Sequence, residues 1–392
     1  MRPRVLPFAG VTLSAAIVAC GTLTACDSVS ASGTANGTAG ARPTAAGAAP
    51  ASALEAAYSG LVGKPPTAPA KPSGAGLVWM VSCGQSVPTC ATPASAGIAA
   101  AKAAGFRTNL CDGKLSPQGW ADCIRQGVSA KAAGIIVVGQ DCASFSGALK
   151  EAKAAGIPTV GAGGNDCDVT GGKKLFSAVT QKMPNMTSEQ WWQHMGALQA
   201  DWIIGKTDGK AKVLSTVFTD AIWGSWVQKG FSKELETCTG CSIDATVKIG
   251  NGDLASGQLA QKFSTALLKQ PTVNAVNFPI DGWLFAGLSQ ALRSSGRNDQ
   301  LQVIGAFGEP GNLQTIKDNA GQDASVAFSE AWDGWAGVDA LIRLLDGKPP
   351  QPAGIGMQVV DRDKGMPQGG APFAYKPAVD FESAYRAAWG VK

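Results

Sequence analysis

Ala130-Lys131-Ala132-Ala133-Gly134-Ile135-Ile136-Val137-Val138 is the stretch that decides the fold. The same Ala-Lys-Ala-Ala-Gly unit stands at Ala101 to Gly105 and at Ala152 to Gly156, each copy leading into an apolar run. Alanine and lysine favour a last helical turn, lysine complements its negative dipole end, and glycine accepts the left-handed C-cap conformation. The segments that follow, Phe106 to Leu110, Ile135 to Val138 and Ile157 to Val160, are short and apolar, two of them β-branched, as expected of strands covered on both faces. Helix then strand, repeated, specifies a parallel α/β sheet. Such sheets place ligands at the carboxyl ends of their strands, so the loops there are where function is sought.

Outward from this core, Leu77 to Val81 reads as the first strand, followed by a loop through Cys83, Gln85 and Cys90 and a helix from about Ala94 to Ala104. Further helices are expected from Gln118 to Ala132 and from Phe145 to Ala155, and Leu175 to Val179 gives a fifth strand leading away. Thr187 and Gln190 have the spacing of a capping box, and Trp191, Met195, Leu198 and Trp202 form one stripe along the helix it opens, read as core. The alternation then restarts: strands at Lys212 to Val217, Ile243 to Ile249, Val273 to Phe278, Leu301 to Ala306 and Ala324 to Phe328 separate helices at Trp223 to Leu235, Leu254 to Lys269, Trp283 to Ser294 and Trp335 to Leu345. A short amphipathic helix carrying Phe381, Tyr385 and Trp389 ends the chain.

At the other end, Arg2 and Arg4 precede an apolar stretch closing in Leu23-Thr24-Ala25-Cys26. This resembles a bacterial lipoprotein signal, which implies removal of residues 1–25 and lipid attachment at Cys26, with Cys20 the weaker alternative. Residues 26–73, mostly Ala, Gly, Ser, Thr and Pro with few large apolar side chains, cannot bury a core and are expected to be a disordered spacer, with only transient helix at Ala53 to Leu61. The remaining roughly 320 residues exceed one ordinary core, so two lobes are expected. Removing Arg2 and Arg4 lowers the formal net charge of +4 by two, and so neutral a chain argues against nucleic acid as a partner. Beyond Cys26 stand eight of the ten cysteines, an even number that favours disulfides in an exported chain. Proximity suggests Cys83 with Cys90, Cys111 with Cys123, Cys142 with Cys167, and Cys238 with Cys241. Pairing across loops is the other option for Cys83, Cys111 and Cys142, which all sit at strand ends.

Val303-Ile304-Gly305-Ala306-Phe307-Gly308-Glu309-Pro310, followed by Ile316 and Ala324-Ser325-Val326-Ala327, resembles the late segment of type I periplasmic binding proteins of the ribose and galactose kind. Val273 through Asp281 to Leu292 resembles the unit before it, and the order of units extends the similarity from residue 76 to about residue 350. The resemblance implies two Rossmann-like α/β lobes with parallel sheets joined by a three-segment hinge, residues 74–180 with 331–350 and residues 181–330 with 351–392. Crossings are expected near Val179 to Gln181, Phe328 to Trp332 and Pro350 to Val360. It also implies a monomeric substrate-binding lipoprotein on the outer face of the cell membrane that closes over a small molecule and hands it to the permease of an ABC importer. No cofactor or metal is implied.

The departures are as informative. The family's sugar binders carry an Asp-Arg pair where this chain has Gly163-Gly164, and an arginine where it reads Ser225-Trp226-Val227. Their asparagine, aspartate and glutamine clamps correspond here to Ile280, Phe307 and Phe328. Buried sugar hydroxyls left without partners cost roughly 1 to 3 kcal/mol each. A sugar or related polyol is the first expectation through the family, and an aromatic or less polar compound the second. The candidate ligand contacts are Gln85, Asp141, Asn165, Trp223, Trp226, Asp281, Trp283, Phe307, Glu309, Phe328 and Glu330, with Asp141 also placed to cap a helix.

An enzyme is the first competing class, but the one histidine, His194, falls in a predicted helix and no nucleophile elbow or phosphate loop is present. Asn165-Asp166-Cys167-Asp168 lacks the spacing of a calcium loop and reads as a disulfide-pinned turn. Cys238-Thr-Gly-Cys241 has redox spacing but precedes a strand, which favours a structural bridge. A sensor presenting its bound state to a membrane receptor or kinase would share the same fold.

Overall fold

The computed structural model describes residues 50–74 and 76–392; the leader, Cys20 and Cys26 lie outside the described residues. Two sheets form the body. The first has order β2-β1-β3-β4-β5, all parallel, from β1 (Leu77–Ser82), β2 (Arg107–Asp112), β3 (Gly134–Val138), β4 (Thr159–Ala162) and β5 (Ala178–Val179). The second has order β11-β10-β9-β8-β6-β7, from β6 (Lys212–Phe218), β7 (Ser242–Ile249), β8 (Ala275–Asn277), β9 (Gln302–Phe307), β10 (Ala324–Ala327) and β11 (Gln358–Asp361). The last strand, β11, pairs antiparallel to β10 at the edge and has too few alternating residues to be legible as a strand.

The alanine-lysine repeats end helices, though not all by the same residue. Gly105 and Gly156 adopt φ of +85° and +71° after α2 (Pro88–Ala103) and α4 (Ser146–Ala154). In the second copy α3 (Pro117–Ser129) stops early, Lys131 takes the left-handed position, and Gly134 is already strand. A methyl group on Gly134 would meet the Leu341 side chain at 2.3 Å, so that glycine is set by packing.

A helix α1 (Pro50–Ser59) begins inside the segment expected to be a spacer, which corrects that expectation for residues 50–73. Ala53 and Ala57 are fully buried against α5 (Ser188–Lys206), because small side chains allow the two helices to approach closely. The Tyr58 hydroxyl donates to Asp361, which also accepts from Trp202 and pairs with Lys206. Residues 68–71 then follow α11 (Glu330–Leu345), where Arg343, paired with Asp339 at 2.7 Å, donates to the Ala68 carbonyl. The helix α12 (Phe381–Trp389) packs on α11 as well: Trp389 donates to Asp339 and Trp332 stacks on Phe381. Since α11 packs on α2, the C-terminal helix sits with the first sheet, which corrects the expectation that residues 351–392 belong whole to the second lobe.

The three expected crossings are present. The first and third run side by side, with Ala353 and Ile355 donating to the Gln181 and Lys182 carbonyls. Two further passes accompany them, one from α1 to β1 and one from β11 to α12.

Candidate functional site

A cleft of about 600 Å³ lies between the sheets, at the carboxyl ends of their strands. The first lobe supplies its rim from residues 86–93. The Cys83–Cys90 disulfide pins this segment, and Trp120 secures it by donating to the Cys83 carbonyl at 2.9 Å. All four disulfides suggested by proximity are formed: Cys83–Cys90, Cys111–Cys123, Cys142–Cys167 and Cys238–Cys241. Asp166 accepts from the backbone of Cys167, Leu175 and Phe176, which makes the acidic segment a pinned turn.

The second lobe and the hinge supply a continuous aromatic wall. Trp283 meets Phe218 edge-on at 6.1 Å, Phe218 lies 5.3 Å from Trp223, and Trp223 stacks on Trp192 at 4.7 Å. From Trp192 the rings continue through Phe307 to Phe328, the last two 5.1 Å apart. All six rings line the cleft. The indole N–H groups of Trp192 and Trp283 have no hydrogen-bond partner among the described residues.

The acidic half of the floor comes from α11 and the end of β9. The Lys182 ammonium donates to both oxygens of Asp333 at 2.7 Å and lies 4.6 Å over the Trp191 ring. This buried pair occupies the ground beside Gly163, where an added methyl would sit 3.6 Å from the Asp333 carboxylate. At Gly164 an added methyl would meet the Gln140 carbonyl at 2.0 Å, so no arginine side chain can occupy the position. Gly164 is therefore required by the backbone around it. Glu309 and Glu330, both buried, face the cleft without a hydrogen-bond partner among the described residues. Burial pushes the Glu309 carboxyl up to about 7, and burial followed by the charge of Glu309 pushes that of Glu330 well up.

Of the expected contacts, Trp223, Trp283, Phe307, Glu309, Phe328 and Glu330 line the cleft. Asp281 does not. Fully buried, it accepts from the Gly308 N–H at 2.9 Å, the Glu309 N–H at 3.3 Å, the Ser325 hydroxyl at 2.8 Å and the Gln322 amide at 2.8 Å. Its work is to hold a strained corner, for Phe307 is a non-glycine residue at φ +99° followed by Gly308 at +72°. That corner turns the Phe307 ring and Glu309 toward the cleft. Asp281 is thus a positioning residue, and the expectation that it touches ligand is corrected.

Asp141 and Asn165 are also off the cleft: Asp141 accepts from the Asn165 backbone and amide, and its second oxygen accepts from the Ile222 N–H of the other lobe at 3.3 Å. It ties the lobes together at the start of α6 (Ile222–Leu235). Trp226, three residues after Trp223 in α6, is buried but does not line the cleft, and neither does Gln85, although its neighbours Ser86 and Val87 line the rim. Lys182, Trp192, Phe218 and Asp333 line the cleft and were not anticipated. The adjacent Trp191-Trp192 pair was the available signal. Only one of two successive helical residues can face the core stripe, so the other is aimed elsewhere.

Residues 88–349 match the model of a family described as periplasmic binding protein domain. No curated protein matches the sequence. Among solved structures, the periplasmic binding protein of the arabinose ABC transporter of Shewanella, bound to L-arabinofuranose, superposes with a TM-score of 0.60 at 20% identity, covering 73% of this chain and 92% of its own. An ABC sugar transporter subunit from Rhodobacter sphaeroides gives 0.61 at 18% identity, covering 74% and 99%. A solute-binding protein from Bacillus halodurans with bound myo-inositol gives 0.60 at 16%, covering 74% and 96%. At these identities the likeness is one of fold.

Proposed function

We propose that this chain, which belongs to the periplasmic binding protein domain family, captures a small organic solute outside the cell membrane and delivers it to the permease of an ABC importer. The cleft between the lobes carries the reading. Its volume of about 600 Å³ falls within the usual range for small-molecule sites, and its aromatic wall offers broad faces for a ring to stack on. Solved relatives in fold hold sugars and a cyclitol, which makes a ring-shaped polyol or a derivative of one the first class to try. Closure around the solute follows from its higher affinity for the closed form. Cys26 would carry the lipid that keeps the protein at the membrane. Among the described residues no helix is long and apolar enough to cross a bilayer.

A thermal-shift screen over sugars, polyols, nucleosides and small aromatics tests the capture. A true solute at a hundred times its Kd stabilises the folded state by about 2.7 kcal/mol and is recovered unchanged. Chemical conversion of the stabilising compound would reject the binding-protein reading. Mass measurement of the membrane-extracted protein tests Cys26: an unmodified N-terminus would reject the anchor.

A further inference from the structure

The reading above says that the cleft holds a solute; the side chains around it also bear on the solute's charge, and this step rests on that reading. We propose that the solute carries a cationic nitrogen, a protonated amine or a quaternary ammonium, on a body the size of one or two rings. The adjacent parallel strands β9 and β10 end in the same three-residue pattern, Phe307-Gly308-Glu309 and Phe328-Ser329-Glu330, with Phe307 opposite Ala327 in the register. The pattern sets two aromatic rings 5.1 Å apart and brings two carboxyl groups to the same wall.

Glu309 and Glu330 are 4% and 9% exposed, and neither has a hydrogen-bond or ion-pair partner among the described residues. Lys182 is the only basic side chain among the lining residues, and both oxygens of Asp333 already hold it. A wall with two unmatched buried acids calls for a partner that supplies positive charge. The rings suit the same guest. The Lys182 ammonium lies 5.4 Å from the Phe328 ring and 5.6 Å from that of Trp192, so these faces already accommodate one cation.

A neutral polyol offers the competing account, because the carboxyl groups in their protonated form could serve as hydrogen-bond donors. Burial favours that form in the empty cleft, with Asp281, Asp333 and the other glutamate adding to the effect at Glu330 and Lys182 opposing it. The two accounts separate on amine and hydroxyl partners of the same shape.

The test titrates the full chain by calorimetry with glucosamine against glucose and with tryptamine against tryptophol, the pairs distinguishing a polyol body from an aromatic one. The amine is expected to bind roughly 30-fold or more tighter than its hydroxyl partner in at least one pair. Glu309→Gln and Glu330→Gln should each abolish most of that preference. The amine's affinity should also rise as pH climbs through about 7, where the Glu309 carboxyl ionises, while that of the hydroxyl partner stays flat. This second readout needs no variant. Equal binding within both pairs, or a preference that survives both glutamines, would overturn the cationic guest and leave solute capture standing. Silence from all four probes would also overturn it, and the wider screen then judges capture separately.

Discussion

Replacing Asp281 by alanine should destabilise the protein rather than merely empty its cleft. The carboxyl group accepts four hydrogen bonds in complete burial. Two of the donors have a second acceptor: Gly308 N–H reaches the Ser325 hydroxyl at 3.0 Å and the Gln322 amide reaches the Ala324 carbonyl at 3.0 Å. The Glu309 N–H and the Ser325 hydroxyl would be left without one. At roughly 1 to 3 kcal/mol for each orphaned buried donor, the loss is about 2 to 6 kcal/mol. Relaxation of Phe307 from φ +99° returns about 1 to 3 kcal/mol, which leaves a net destabilisation of about 2 kcal/mol. Urea denaturation followed by tryptophan fluorescence at pH 7 measures it, with Asp281→Asn falling between because one oxygen acceptor survives. A Asp281→Ala protein within about 0.5 kcal/mol of the parent would refute the clamp.

Trp223→Ala removes the partner stacked on Trp192 at 4.7 Å and should weaken the screened solute roughly tenfold while the unliganded protein still folds; unchanged affinity by calorimetry would displace the aromatic wall from the site. Changing Cys142 and Cys167 together to serine opens a bridge spanning 25 residues and should lower stability by about 3.5 kcal/mol in denaturant, and a loss below about 1 kcal/mol would contradict a structural role. The pH dependence has a defined sign. Asp281, pushed up to about 8 by burial and then by Glu309, and Glu309, pushed up to about 7 by burial, bind protons more tightly folded than unfolded. Their stabilisation is full below the unfolded pKa near 4 and is lost as pH rises through about 7 to 8. The melting temperature of the unliganded protein should therefore fall from pH 5 to pH 8, and Glu309→Gln should flatten the slope; a rise over that window would contradict the assignment.

The fold was legible because it is carried by local signals. Three helix ends, a capping box at Thr187 and Gln190, and β-branched runs between them fix the alternation before any long-range contact forms. Elements whose order depends on distant partners were not legible. Local propensity marks Ala53 to Leu61 only as transient helix, and the segment becomes ordered through contacts such as that to Asp361, some three hundred residues away in the chain. The same holds for β11, whose pairing to β10 decides its state.

The site divides along the same line. Phe307, Glu309, Phe328 and Glu330, at or just beyond a strand's end, line the cleft because parallel sheets present that position to the crevice whatever the sequence. Asp281 occupies the same kind of position and yet points into the protein, because Gly305, Gln322 and Ser325 leave a buried slot lined with donors that its carboxyl group fills. Position after a strand predicts proximity to the cleft, and the donors behind that position decide which way the side chain turns. Glu309 has no such donors behind it, and neither does Glu330. The proposed cationic solute rests on that difference, and a preference for an amine over its hydroxyl partner is what would separate this cleft from a sugar clamp.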